Sequence, residues 1–290
     1  MQPDPAGDAR AAAAVLLAAA SALRARGGRP PLEVDDDVIA RLATRVAHLA
    51  STDPEGSHLA VRDQEVVGMT QAVRREDLWV LVHLFVDPGA QSGGVGSALL
   101  AEAWRTGSDA PAGMIGASSD PRAIGRYARL PGFALHPTLV ATGPVRHLPP
   151  VPGAPLVRAG TDGDLALADR IDRALRRGPH GPDLRHLLDT GAALLVVDDR
   201  GYAVVDGRGT GPVRIGPLAA TDVAAATALL VVGLAGAAGR DVQLARLTAD
   251  QQWALRVAAD AGLSLSPSGP LVLRGFGTAP APYLADPALC

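Results

Sequence analysis

Runs of apolar residues with two different spacings alternate along the chain and predict an α/β protein. Apolar positions recur at helical spacing in residues 8–26 and again from about 34 to 49. Shorter runs with the character of strands follow at 58–62 and 65–73. A longer apolar run, Leu78–Val86, comes next and is interrupted only by His83. The first third of the chain is therefore expected to form two helices followed by a meander of strands.

A glycine-rich turn joins the long apolar strand to a helix. The strand breaks at Asp87-Pro88-Gly89, and a helical pattern extends from Ser97 to Trp104. The first turn of a helix has N–H groups without intrahelical partners and the positive end of the helix dipole, so it favours a phosphate. Glycines let a phosphate approach and tolerate the backbone angles of an anion nest. The turn contains Gln91, Ser92, Gly93, Gly94, Val95 and Gly96.

Two common phosphate-binding loops fit this turn less well. A nucleoside-triphosphatase loop ends in Gly-Lys-Ser or Gly-Lys-Thr, and this sequence contains no lysine. A dinucleotide-binding loop would have a third glycine where Leu99 stands, and an acidic residue at the end of the next strand. The next predicted strand leads to Asp120 at a loosely suitable distance. The dinucleotide loop therefore stays as the weaker alternative.

The remaining pattern is Gln-x-x-Gly-x-Gly, formed here by Gln91, Gly94 and Gly96. It resembles the acyl-CoA pyrophosphate loop of the GNAT superfamily of N-acetyltransferases, and the strand before it resembles that family's fourth strand. The order of two helices, a strand meander, a loop with its helix, a strand and a last helix is also similar to the family. The resemblance implies a mixed sheet flanked by helices.

A second motif resembles the same family. There the fifth strand is followed by a short helix with a tyrosine and then by a Gly-Phe pair, and Tyr127 with Gly132-Phe133 falls on that pattern. Asp120 stands where the family often has asparagine, and Pro131 looks inserted before Gly132. Together the two specific motifs cover about residues 84 to 133.

The resemblance implies that an acyl group moves from the thioester of acetyl-CoA, a co-substrate, to an amine. Backbone groups of Leu84, Phe85 and Val86 are expected to pair with the pantetheine and polarise the thioester carbonyl. The loop, as far as Ser97, is expected to hold the diphosphate. Tyr127 is the expected general acid that protonates the departing thiolate. No metal is expected.

The general base is harder to identify. Some family members have a glutamate on the loop strand, but residues 79–82 contain no carboxylate. His83 lies on that strand, and its ordinary pKa of about 6.5 suits a base. Strand alternation places it on the same face as Leu81 and Phe85, where a packed, structural histidine is the favoured interpretation.

Composition limits the partners of the protein. A chain of 290 residues that is 48% hydrophobic can form two domains, and a formal net charge of −3 disfavours a nucleic-acid binder. No apolar run reaches the roughly 18 to 20 residues of a membrane span. The alanine-rich residues 11–20 follow more acidic than basic residues, unlike a signal peptide, so a cytoplasmic protein is expected. The single cysteine, Cys290, excludes an intrachain disulfide.

A proline-rich segment, residues 148–155, predicts a linker between a first domain at 1–147 and a second at 156–290. Beyond it the order of elements repeats, which predicts a second copy of the same fold. At the equivalent of the glycine loop, residues 215–223, the motif is missing, and Asp222 would repel a diphosphate. Val257 and Ala258 stand where a tyrosine is expected. The second half is therefore interpreted as degenerate, and it supports the first half, shapes the acceptor pocket or makes a homodimer surface.

Two classes of function follow. The first is an N-acetyltransferase acting on the amine of a small molecule or a peptide, with the first half active. The second is a non-catalytic acyl-CoA-binding protein or a scaffold for dimerisation, which the missing carboxylate and the degenerate half favour. The intact loop and Tyr127 favour the enzyme.

Overall fold

The computed structural model describes residues 5–286, so Cys290 lies outside the described residues. The chain divides into two compact units. Unit 1 comprises Met1–Arg74 and Trp79–Ala110, and unit 2 comprises Arg75–Leu78 and Pro111–Cys290. Each unit is described by itself.

Unit 1 contains the two predicted helices and the strand meander. The first helix begins earlier than predicted, and Asp35 caps the second helix by accepting a hydrogen bond from the Val38 N–H at 2.7 Å. The three strands lie side by side in chain order. The elements are α1 (Pro5–Arg26), α2 (Asp36–Thr52), β1 (Ser57–Arg62), β2 (Glu65–Arg75), β3 (Leu78–Val86) and α3 (Val95–Arg105).

A small apolar core holds the first two helices on the sheet of unit 1. Ala9 and Ala12 of α1 pack with Val46 of α2 and Met69 of β2, and Phe85 of β3 adds to this cluster. The apolar residues whose spacing predicted α1 and α2 therefore lie on the buried face of each helix.

Unit 2 begins with three elements that belong to the first half of the sequence. They are β4 (Ala112–Gly116), α4 (Pro121–Tyr127) and β5 (Phe133–Pro144). The predicted linker, residues 148–155, forms neither a helix nor a strand. The later elements are β6 (Arg158–Ala159), α5 (Leu165–Arg176), α6 (Pro182–Asp189), β7 (Ala193–Val197), β8 (Gly201–Asp206), β9 (Val213–Ala220), α7 (Val223–Gly236), β10 (Asp241–Leu247), α8 (Gln252–Asp260), β11 (Ser264–Arg274) and β12 (Tyr283–Leu284).

The strands of unit 2 follow the order β4-β11-β5-β10-β9-β8-β7-β6, with β12 paired to β9. The last long strand of the sequence, β11, therefore lies between β4 and β5 and is antiparallel to both. In turn β5 pairs with β10. Residues 134–143 form part of the single strand β5, and β11 from the second half takes the position beside β4.

Because β11 is inserted between β4 and β5, the compact units do not follow the predicted domain boundary. Strands from both sides of residues 148–155 alternate in one part of the sheet, where β5 is flanked by β11 and β10. The division of the sequence at the linker stays a prediction. The fold class is confirmed, since helices flank a sheet that has parallel and antiparallel pairs.

The largest core of unit 2 surrounds α7, which is apolar along almost its whole length. Leu229, Leu230 and Leu234 of this helix are fully buried together with Val242 and Leu244 of β10. A second cluster packs α5 and α6 against β7 and β8. The core around α7 also includes Ala141 of β5, so residues from both sides of the predicted linker contribute to it.

None of the helices within residues 5–286 combines the length and the hydropathy that a membrane span requires.

Candidate functional site

The turn between β3 and α3 begins with two bonds from side chains to the backbone. The carboxylate of Asp87 accepts a hydrogen bond from the Gly89 N–H at 2.8 Å and starts a short 3-10 helix, Pro88–Ala90. The side-chain amide of Gln91 donates to the carbonyl of Val86 at 3.0 Å. These bonds define how the chain leaves the strand, and they give Gln91 a structural role in the motif.

The helix α3 begins at Val95, two residues before the predicted Ser97. Gly94 precedes it with φ of 84°, a left-handed conformation that glycine adopts without strain. The carbonyl of Gly94 accepts hydrogen bonds from the N–H groups of Ser97 and Ala98. The N–H groups of Val95 and Gly96 belong to the first turn, where a helix offers no acceptor. No described atom lies within 4 Å of the position that a Cβ on Gly94 would take.

The other end of α3 is anchored in unit 1. Leu99, Leu100 and Ala103 are buried on its inner face. The indole of Trp79 donates to the Thr106 hydroxyl at 3.2 Å, and its ring meets Trp104 edge-on at 5.1 Å. The sheet and these contacts therefore fix the direction of the helix and of its N-terminal N–H groups.

Arg62, at the end of β1, is a site residue that the sequence analysis missed. Its Nη2 atom lies 4.0 Å from the position that a Cβ on Gly93 would take. Arg62 is exposed, and it has no carboxylate partner within the described part of the chain. Pairing of β1 with β2 brings this arginine to the turn. No local pattern could have identified it, because the two positions are far apart in sequence.

The strand residues Leu84, Phe85 and Val86 were expected to offer backbone groups to the pantetheine. The carbonyl of Val86 accepts a hydrogen bond from the side-chain amide of Gln91. The side chain of Phe85 packs against the apolar cluster of α1 and α2. A carbonyl oxygen with one hydrogen bond can accept a second, so the pantetheine contacts of Leu84, Phe85 and Val86 stay a prediction.

His83 lies in a buried hydrogen-bond network and is 4% exposed. Its Nδ1 is 2.9 Å from Oε1 of Gln71, whose amide nitrogen donates to the carbonyl of Val46. Its Nε2 is 3.4 Å from Nη2 of Arg45. A guanidinium can only donate, so Nε2 accepts and Nδ1 carries the proton. Burial lowers the pKa of His83 well below its usual value, and the charge of Arg45 lowers it further.

This network makes His83 a neutral side chain with both ring nitrogens engaged. An incoming amine would have to displace Arg45 before it could transfer a proton to Nε2. The geometry therefore favours the packed, structural histidine, and the role of base stays a prediction.

Tyr127 is the last residue of α4 and is 5% exposed. Asp120 caps this helix by accepting a hydrogen bond from the Arg122 N–H at 2.9 Å, as an asparagine would. After the helix, Gly132 has φ of 75°, and the Phe133 N–H bonds to the carbonyl of Leu130. The two departures from the family pattern thus leave the helix intact, with the tyrosine at its end.

The corresponding helix of the second half, α7, begins differently. The side chain of Asp222 accepts a hydrogen bond from the Ala225 N–H at 3.0 Å. Two nitrogens of Arg200 bond to the two oxygens of the same carboxylate at 3.0 and 2.7 Å. Hydrogen bonding to Arg200 lowers the pKa of Asp222 to about 2, and the bond from Ala225 adds to this. The strand β9 extends to Ala220, so most of residues 215–223 lie in the strand and only Thr221 and Asp222 connect it to α7.

Unit 1 also contains a cavity of about 420 Å³ between its first two helices and the strands β1 and β2. Its walls are partly apolar, with Val46, Ala47 and Met69, and partly polar, with Thr70 and Gln71. This volume falls in the range of small-molecule pockets. Gln71 also contacts His83, so one side chain belongs to both the cavity wall and the buried network.

Comparison with known proteins agrees with this geometry. The model of the acetyltransferase (GNAT) family matches residues 23–137, which include the turn before α3 and Tyr127. No curated protein matches the chain significantly.

Solved structures with the same fold cover nearly the whole chain. A putative acetyltransferase from Pyrococcus horikoshii has a TM-score of 0.75 at 16% identity, over 98% of this chain and 93% of that one. A GCN5-related N-acetyltransferase from Sphaerobacter thermophilus has a TM-score of 0.54 at 17% identity, over 94% and 96%. A tandem GNAT protein from the clavulanic acid biosynthesis pathway has a TM-score of 0.56 at 16% identity, over 93% and 96%. At these identities the likeness concerns the fold.

Proposed function

We propose that the protein is an acetyl-CoA-dependent N-acetyltransferase, because its residues 23–137 match the model of the acetyltransferase (GNAT) family. The first half of the sequence carries the activity. The observation that supports this most directly is the first turn of α3, where Gly94 has no side chain and no described atom lies nearby. The N–H groups of this turn would receive the diphosphate of acetyl-CoA.

The turn has the electrostatics that a diphosphate requires. The N-terminus of an eleven-residue helix favours an anion, typically by about 0.3 to 1 kcal/mol for one exposed charge. The exposed guanidinium of Arg62 lies at the same turn and adds a full positive charge. The planar guanidinium can bond to two phosphate oxygens at once.

Tyr127 is the proposed general acid. A phenol with a pKa of about 10 can protonate a thiolate whose conjugate acid has a pKa of about 8.5 when the two are held close in a dry site. Tyr127 is almost fully buried, which supplies the dry surroundings. This role rests on the motif that it shares with the family.

The cavity of unit 1 is the proposed acceptor pocket. Its polar wall, which includes Thr70 and Gln71, offers hydrogen-bonding groups, and the carboxylate of Asp8 at its rim would attract a protonated amine. Its volume suits a small molecule or the end of a peptide. The buried His83 network would support the wall through Gln71.

The test is thiol release from acetyl-CoA across a panel of small amines and peptide N-termini. We expect turnover with at least one acceptor. The Tyr127→Phe variant should lower kcat about 100-fold, in the range of general acid catalysis, while the calorimetric Kd for acetyl-CoA stays the same. A Tyr127→Phe variant as fast as the wild type would contradict the assignment of the acid.

A second candidate function is a non-catalytic acyl-CoA-binding protein. It is favoured by His83, whose two ring nitrogens are engaged, and by the absence of a carboxylate in residues 79–82. Tight binding of acetyl-CoA without thiol release on any acceptor would support this alternative over the enzyme.

A further inference from the structure

The strand β10 contains a bulge with a strained arginine. Its register with β5 shifts between Leu244 and Leu247. Arg246, within the bulge, has φ of 55°, which costs a residue other than glycine about 1 to 3 kcal/mol. Bulges commonly redirect a side chain, and a strained residue in one often serves a functional purpose.

The redirected side chain of Arg246 reaches the end of β4. Its Nη2 donates to the carbonyl of Gly116 at 2.8 Å, and its Nη1 donates to the carbonyl of Ala117 at 3.1 Å. A Cβ on Gly116 would overlap the guanidinium, so this close approach requires a glycine there. The bulge with its left-handed residue and the glycine at 116 are two separate features that serve the same contact.

The two carbonyls mark the point where the chain leaves the sheet. Gly116 is the last residue of β4, and the Ala117 N–H bonds to the carbonyl of Pro270 at 3.0 Å, after which strand pairing ends. Asp120 then caps α4, and α4 ends at Tyr127. The position of the tyrosine therefore depends on how the backbone at 116–117 is held.

We propose that Arg246, supplied by the second half of the sequence, is a positioning residue for Tyr127. It fixes the end of β4 and thereby the start of the segment that carries the general acid. This inference rests on the proposed function for its catalytic meaning, and it gives the second half a definite role in the activity of the first. Because a misplacement of about 1 Å in a catalytic group can cost as much as about 100-fold in rate, loosening this point should reduce kcat.

Three variants separate positioning from a general effect on stability. Arg246→Met removes both hydrogen bonds, and Gly116→Ala keeps the arginine but displaces its guanidinium. The matched control is Arg240→Met, since Arg240 also donates to backbone carbonyls, those of Gly207, Gly209 and Gly211, in a different part of unit 2.

The first measurement is a kinetic double-mutant cycle with Tyr127→Phe. We expect Arg246→Met and Gly116→Ala each to lower kcat at least tenfold, with KM for acetyl-CoA changed less than twofold, and Arg240→Met to leave kcat unchanged. In the Tyr127→Phe background, Arg246→Met should cause no further loss. Full additivity of the two losses would overturn the proposal.

The second measurement does not require turnover. Amide hydrogen exchange should become faster in residues 117–127 in Arg246→Met and in Gly116→Ala, but not in Arg240→Met. Unchanged exchange in that segment would overturn the role of Arg246 even in an active enzyme. Conversely, a wild type inactive on every amine would contradict the proposed function, while faster exchange in the variants would still support the structural link.

Discussion

Two helix N-termini, those of α3 and α7, differ in whether a carboxylate of the protein caps the helix. Residues 87–94 separate β3 from α3, and the residue before the helix is Gly94. Only Thr221 and Asp222 separate β9 from α7, and the carboxylate of Asp222 caps the helix. Near each helix start lies an arginine, Arg62 in the first case and Arg200 in the second.

The two helices differ in whether a side chain of the protein accepts hydrogen bonds from the N–H groups of the first turn. At α7, a carboxylate oxygen of Asp222 caps the helix where a phosphate oxygen would otherwise bind. Arg200 forms an ion pair with the same carboxylate. The capping side chain stabilises the helix, typically by about 1 kcal/mol. At α3, Gly94 provides no side-chain cap, which costs only a few tenths of a kcal/mol relative to a capping residue, and Arg62 has no carboxylate partner in the part of the chain that the structure describes. The α3 end is therefore left without an acceptor from a side chain of the described residues, as the proposed diphosphate site requires.

The largest expected effect comes from placing a carboxylate at α3. Gly94→Glu should raise the Kd for CoA at least 100-fold, because the new side chain adds bulk and negative charge where the diphosphate is proposed to bind. Isothermal titration calorimetry measures the affinity. The left-handed φ of Gly94 makes the substitution cost about 1 kcal/mol or more in folding free energy, so a folded protein is still expected.

Gly94→Asn is the matched control for this variant. Asparagine tolerates a left-handed backbone and carries no charge. Its Kd for CoA should rise through the added bulk but stay well below that of Gly94→Glu, so the difference between the two variants measures the effect of the charge. An unchanged Kd in Gly94→Glu would show that the diphosphate does not bind at this turn.

Neutralising the arginine at the same turn should have a smaller effect. Arg62→Gln should weaken CoA binding about tenfold, equivalent to about 1.4 kcal/mol, as expected for one charge-assisted hydrogen bond. The loss should shrink at high salt, because the site is exposed. Arg105→Gln, at the far end of α3 and paired with Glu102, is the control and should leave the Kd unchanged. If the two variants raised the Kd for CoA equally, Arg62 would contribute only through the net charge of the protein and not through a direct contact.

The elements around the α3 site were predictable because their signals are local. Alternation and apolar runs gave β3 its observed bounds, Leu78–Val86, and the turn residues placed the start of α3 within two residues. The contribution of Arg62 was not predictable, since it depends on the pairing of β1 with β2. The network of His83 likewise depends on Arg45 and Gln71 from two other elements.

The second half shows the limit of reasoning from the order of elements. Residues 215–223 were predicted to correspond to the glycine loop, but β9 continues to Ala220, and only Thr221 and Asp222 stand where the first half has the longer turn of residues 87–94. The insertion of β11 between β4 and β5 was also missed. Strands adjacent in sequence usually pair, and nothing local in either strand indicates a partner more than a hundred residues away.

Removing the carboxylate at α7 tests the other side of the comparison. Asp222→Ala should lower the free energy of unfolding by about 1 kcal/mol through loss of the helix cap, measured by urea denaturation. It should not create a CoA site, because β9 leaves no turn whose N–H groups could surround a diphosphate. A gain of CoA affinity in this variant would show that Asp222 alone closes the second half to the ligand.

The smallest expected effect is the pH dependence of the same cap. The pKa of Asp222 is lowered from 3.8 to about 2 in the folded protein, so its ionised form stabilises the fold at pH values above its ordinary pKa. This contribution should be lost as the pH falls from about 4 through about 2. The difference in stability between the wild type and Asp222→Asn should therefore be constant above pH about 5 and shrink toward pH about 2, because asparagine keeps a cap without the charge. Since the ion pair with Arg200 is partly exposed, the difference should stay below about 1 kcal/mol, and a difference that grows on acidification would contradict the assigned direction.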